Sequence, residues 1–290
     1  MRSVLPPRGF FRRGPLPFLG PLSGSLAFLG EPARLRRAGA VLVALVLLLS
    51  GFGPARAATA SVRVMTRTVM LARDADRPLP TTIWYPSPLT GRHPLILFSH
   101  GLGGMPSDFA PLIAGWAEAG YVVAAPAYPH TNRRVRVVRA DVRSQPADAL
   151  YVVDQVRRLS GVPGDAFFGH LDPSRWAAVG FSAGGTTTLG LFGPGHDPRL
   201  RAGVSVAGRE APSGFGGRPA PLLFVHGSRD RVVPMAAARR AYGADPWPKR
   251  FVTVRNAGHG EYLRPGNASY VRISGLILAF LAAQLPVSPS

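Results

Sequence analysis

Three side chains in this sequence have the types and settings that nucleophilic chemistry needs. The first is Ser182, in Gly180-Phe181-Ser182-Ala183-Gly184, a G-x-S-x-G turn. A serine hydroxyl is a weak nucleophile until its geometry is imposed and a base takes its proton. The residues before it read as a buried strand and those after it as a helix. Glycines on either side let strand and helix backbones approach closely. The helix start would direct free N–H groups and the positive dipole end at a developing anion. The second is Asp230, in Val225-His226-Gly227-Ser228-Arg229-Asp230-Arg231-Val232-Val233-Pro234, after a buried strand and before a helix. The third is His259, in Ala257-Gly258-His259-Gly260-Glu261-Tyr262, just past the last strand. The pattern predicts His259 as the base for Ser182 and Asp230 as the group fixing its tautomer.

An oxyanion needs donors as well. Phe98-Ser99-His100-Gly101-Leu102-Gly103-Gly104 is a Gly-rich turn after an early strand. We expect one backbone donor from Leu102 and one from Ala183. His100 reads as shaping that turn, and His226 as supporting the Asp230 loop. Glu261 lies too near His259 in sequence to orient it, and Asp197 would need a rearranged loop. His130 and His170 have no evident partner. Phe181, Val232, Val233 and Tyr262 are the expected walls of a substrate pocket. No cluster has metal-ligand spacing, and no phosphate-binding loop is present.

Positioning these ends requires a parallel sheet. Continuous apolar runs at 94–99, 121–125 and 175–181 read as strands buried on both faces. Further strands are expected at 204–206, 222–225 and 251–254, after an antiparallel pair at 62–71 and 81–85. Helices are expected at 107–119, 147–159, 184–191, 234–242 and 269–284. Residues 126–144 and 160–174 read as loops. Strand and helix alternate from Pro94 onward, so the fold class is α/β with a mostly parallel central sheet flanked by helices. The 207–220 loop is too short to hold a lid domain, which predicts an open site.

Of 290 residues, 46% are hydrophobic, enough for one large core, and the formal charge is +19. Residues 1–57 hold eight Arg and one Glu, which leaves 26 basic and 14 acidic residues in the remainder. The arginines do not form a helix face interleaved with aromatics, so no nucleic-acid partner is expected. Arg133, Arg134, Arg136, Arg139 and Arg143 make the one local group. Cysteine is absent, which excludes disulfides and thiol nucleophiles. Arg34, Arg36 and Arg37 precede the apolar run 40–49, and Ala55-Arg56-Ala57 offers a cleavage site. We therefore expect residues 1–57 to be an export signal and 58–290 a single secreted domain, without a stable membrane span after cleavage.

Taken together, the stretches around His100, Ser182, Asp230 and His259 resemble the α/β-hydrolase superfamily. Gln145-Pro146-Ala147-Asp148 and His170-Leu171-Asp172-Pro173-Ser174-Arg175 look like its bacterial dienelactone-hydrolase-like, platelet-activating-factor-acetylhydrolase and cutinase-like esterases. The resemblance runs from about Thr81 to Leu285. It implies hydrolysis of a carboxylic ester through an acyl-serine, without cofactor. We expect short or medium acyl esters, small-molecule or lipid, as substrates and a monomer as the working form. Dienelactone hydrolases proper use a cysteine, which this chain lacks. Cutinases carry an aromatic where Leu102 stands and a tryptophan where residues 208–210 are Gly-Arg-Glu. A polyester substrate, an amide hydrolase or acyltransferase with the same three residues, and a binding protein without activity are the alternative readings.

Overall fold

In the computed structural model, residues 62–211 and 213–288 are described. The export-signal reading, with its cleavage site at Ala57, lies outside them. The described residues form an α/β structure on an eight-stranded sheet. The strands are β1 (Arg63–Ala72), β2 (Pro78–Ser87), β3 (His93–Ser99), β4 (Val122–Pro126), β5 (Leu171–Phe181), β6 (Leu200–Val206), β7 (Leu222–Gly227) and β8 (Lys249–Val254). Their spatial order is β1-β2-β4-β3-β5-β6-β7-β8. The pairs β1–β2 and β2–β4 are antiparallel, and every later pair is parallel.

The helices are α1 (Ala110–Glu118), α2 (Gln145–Arg158), α3 (Ala183–Gly190), α4 (Met235–Ala244) and α5 (Tyr270–Gln284). Side chains on a strand alternate between faces, so each central strand feeds two cores. Ile96 and Phe98 of β3 pack with Leu112, Ile113 and Trp116 of α1 and with Ile273, Ile277 and Leu281 of α5. Leu95 and Leu97 pack on the other face with Val152, Val153 and Val156 of α2, Leu189 of α3 and Ala241 of α4. The fully apolar sequence of β3 follows from this double burial.

Four expected boundaries move by three residues or more, the first being β2, which begins at Pro78 and not 81 because residues 78–80 already pair with β1. β5 begins at Leu171, not 175, because Leu171 pairs with His93 across a register shift before Trp176. The intervening Asp172 accepts bonds from Ser174 N–H and from Arg175, local turn chemistry that hides the strand. β6 begins at Leu200, which pairs with Trp176 of β5, and the register then skips Arg201 before Ala202. The helix expected at 107–119 opens with a 3-10 turn, Pro106–Phe109, and is helical only from Ala110. A second 3-10 turn, Arg139–Arg143, lies in the expected loop before α2. No described residue between β6 and β7 is helical or in a strand.

Candidate active site

β5 ends at Phe181 and α3 begins at Ala183, so Ser182 alone makes the turn. Its φ is 56° and ψ −117°, a conformation that side chains other than glycine adopt only under strain. The flanking glycines are sterically required. A Cβ on Gly180 would lie 2.0 Å from Gly184 O, and one on Gly184 would lie 2.0 Å from Ser99 O. The Ser182 N–H donates to Val206 O at 2.8 Å, which ties the turn to β6.

Ser182 Oγ lies 2.8 Å from His259 Nε2. His259 Nδ1 donates to Asp230 Oδ2 at 2.7 Å. The other carboxylate oxygen accepts N–H bonds from Val232 and Val233, both 2.9 Å. Asp230 is thus fixed by the turn after β7, and its side chain is fully buried. The loops carrying Asp230 and His259 meet at Gly227, where a Cβ would fall 2.1 Å from Gly258 O. His226 donates from Nε2 to Val233 O at 2.8 Å and so braces the Asp230 turn. Burial pushes its imidazole below the ordinary value. Glu261 accepts the Gly258 N–H and steadies the His259 loop.

Leu102 and Ala183 both border this site. Among the described residues, neither of their N–H groups makes a hydrogen bond. The Leu102 turn is fixed from both sides. His100, fully buried, donates from Nδ1 to Gly101 O at 2.8 Å and accepts the Tyr128 N–H at Nε2, 3.2 Å. Gly103 donates to Thr131 O at 2.7 Å. Thr131 Oγ1 accepts from Gln145 Nε2 at 2.6 Å, and Gln145 Oε1 accepts from the Thr187 hydroxyl. That hydroxyl also lies 3.0 Å from Ala183 O. A buried polar chain therefore runs from the Leu102 turn to the first residue of α3.

No protein-family model matches the chain, and no curated protein matches its sequence. The site is thus read from its own geometry. A cleft of about 1010 Å³ opens beside Ser182 and His259. Phe181, Val232 and Val233, expected as walls, line it. Phe181 also packs beneath His259, ring centroids 4.9 Å apart. Its ring fills the space where a Cβ on Gly260 would sit, 2.1 Å away. Tyr262 is a correction. It does not line the cleft and is fully buried in the core beside α5. Gly260, at φ 87°, starts a 3-10 turn over Glu261–Leu263 that points Tyr262 inward.

Other expected bystanders lie elsewhere. Asp197 accepts from Trp176 Nε1 and Arg199 at the opposite, amino-terminal end of the strands. His170 bonds Gly91 O on the surface. Pro146 and Ala147, read in the sequence only as part of the resemblance, also line the cleft, as do Thr186 and Gly190, which were not singled out. The spacing of Ala183, Thr186 and Gly190 is the one signal that marks the last two. Among the described residues, no three His, Asp or Glu side chains converge as metal ligands.

Proposed function

We propose that this protein is an exported serine hydrolase of the α/β-hydrolase type that cleaves carboxylic esters through an acyl-serine. The observation that carries the reading is the continuous Ser182–His259–Asp230 hydrogen-bond relay on a strained strand-to-helix turn. In this reading Ser182 Oγ attacks the ester carbonyl while His259 Nε2 takes its proton. Asp230 stabilises the resulting imidazolium and keeps Nδ1 as the donor. The carbonyl oxygen becomes an anion that the free N–H groups of Leu102 and Ala183 accept, each contributing about 3 kcal/mol to the barrier reduction. His259 then protonates the leaving alcohol. Water, deprotonated by His259, releases the acid and restores Ser182.

The test is hydrolysis of p-nitrophenyl esters of rising acyl length by the 58–290 protein, beside Ser182→Ala. Turnover that disappears in the variant supports the reading, and the length profile sizes the cleft. Equal rates in both proteins would sink it. Product analysis with amide substrates and added alcohols separates hydrolysis of esters from amide cleavage and acyl transfer.

A further inference from the structure

The cleft follows one face of α3. Ala183, Thr186 and Gly190 line it, and their spacing of three and four places them on a single helical face. Along that face the helix rises about 10 Å. The Arg139–Arg143 turn and the start of α2 wall one side. There Pro146 Cγ would be 2.7 Å from a Cβ on Gly190, so only glycine admits the wall. Residues 209–211 wall the other, fixed by the Arg209 N–H on Thr186 Oγ1 at 3.2 Å.

The two walls are cationic. Arg139, Arg143 and Arg209 all line the cleft. Among the described residues, none of the three makes a salt bridge or a side-chain hydrogen bond. The carboxylates on the same two segments are occupied. Asp141 accepts from Arg77 Nη1 and Nη2 at 2.8 and 3.0 Å. Glu210 is bound by Arg240. Neither Arg77 nor Arg240 lines the cleft; Glu210 does, but it is paired outward with exposed Arg240, which leaves the three cleft arginines without a carboxylate. Arg77 is itself fixed by fully buried Asp148 of α2, which makes the Arg139–Arg143 wall a braced platform. Three guanidinium groups over an apolar floor focus a positive potential where an ester must enter. Guanidinium forks match carboxylate and phosphate oxygens.

Resting on the ester-hydrolase reading, we propose that the cleft selects esters carrying an anionic group, with Arg139, Arg143 and Arg209 as the specificity-determining side chains. Arg209 leaves the backbone level with Thr186, one helical turn or about 5 Å from Ser182.

Two matched pairs test this and distinguish which side of the ester carries the charge. On the acyl side, mono-p-nitrophenyl glutarate is compared with p-nitrophenyl valerate. On the alcohol side, the butyrate ester of para-hydroxybenzoate is compared with phenyl butyrate. The wild type is expected to favour the anionic member of at least one pair by about tenfold in kcat/KM at low salt. That ratio should shrink toward unity at about 0.5 M sodium chloride, as screening shortens the reach of the arginines. It should also fall about tenfold in an Arg143→Gln/Arg209→Gln double variant. Arg272→Gln, exposed on α5 and outside the cleft, should keep the wild-type ratio. A ratio near one in both pairs overturns the proposal, as does a preference that survives in the double variant. Absence of Ser182-dependent turnover of every ester removes the hydrolase reading, and this selectivity with it. Equal, Ser182-dependent turnover removes the selectivity alone.

Discussion

At the scale of the residue, the site depends on a single proton arrangement. His259 can accept from Ser182 only if its own proton sits on Nδ1, and Asp230 Oδ2, at 2.7 Å, is the acceptor that keeps it there. Asp230 Oδ1 is already committed to two N–H donors. In Asp230→Asn, the carbonyl oxygen satisfies those donors and the amide N–H₂ faces His259. Nδ1 then becomes an acceptor, and the proton moves to Nε2, where it opposes the serine hydroxyl. We expect kcat to fall about ten-thousand-fold with the fold intact. Ester turnover and circular dichroism on the same preparation check this. A loss below tenfold would mean that Asp230 does not set the tautomer. Ser182, Asp230 and His259 were legible as strand-end residues in chain order. Tyr262 was not, because only the left-handed turn at Gly260 decides that it faces the core.

At the scale of the element, two turns from distant parts of the chain must present their N–H groups to one point. Leu102 follows β3 and Ala183 opens α3. The chain Gly103–Thr131–Gln145–Thr187 joins them through three residues that are fully buried. A buried bond of this kind orients as well as stabilises, since its partners have no water to turn to. Thr187→Val keeps the shape and removes the hydroxyl, leaving Gln145 Oε1 without its donor. Thr187→Ser keeps the hydroxyl. The expected result is a kcat loss of about tenfold in Thr187→Val with KM little changed, and near-complete recovery in Thr187→Ser. A purely structural role would lower thermal stability in Thr187→Val and leave kcat alone. This link was hidden in the sequence. Thr131, Gln145 and Thr187 are ordinary polar residues there, and only the packing of α2 on α3 brings them together. The same packing builds the cleft wall from a segment that reads simply as a Pro- and Arg-bearing loop. The central strands were legible because burial on two faces leaves an unbroken apolar run. The early starts of β5 and β6 were not, because polar residues, Asp172 to Arg175 and Arg201, interrupt the apolar pattern just after the first paired leucine.

At the scale of the whole molecule, stability should depend on pH in two separate windows. His100 and His226 lie beneath the site, and burial pushes both imidazoles below the ordinary value of 6.5. Bonds to Gly101 O and Val233 O oppose the shift without cancelling it. Asp108 and Arg133 face His100 with opposite charges, and Asp230 and His259 face His226. In the unfolded chain both imidazoles take up protons as pH falls through 6.5, while the folded ones remain neutral to lower pH. The unfolded state therefore binds more protons in that interval, and stability rises with pH across it. The contribution is fully present above 6.5 and is lost as pH falls toward the folded values. A second loss follows below the ordinary aspartate value of 3.8. Burial alone would raise the carboxyls of Asp172 and Asp197, but bonds from Ser174 and Arg175, and from Arg199 and Trp176, hold them below it. Thermal stability should thus fall between pH 7 and pH 5, as these two rings take up protons in the unfolded chain but not in the folded one. His100→Gln and His226→Gln should each start less stable and show a shallower fall over that interval. Unchanged slopes in both variants would place the origin of the acid sensitivity elsewhere than in these two rings.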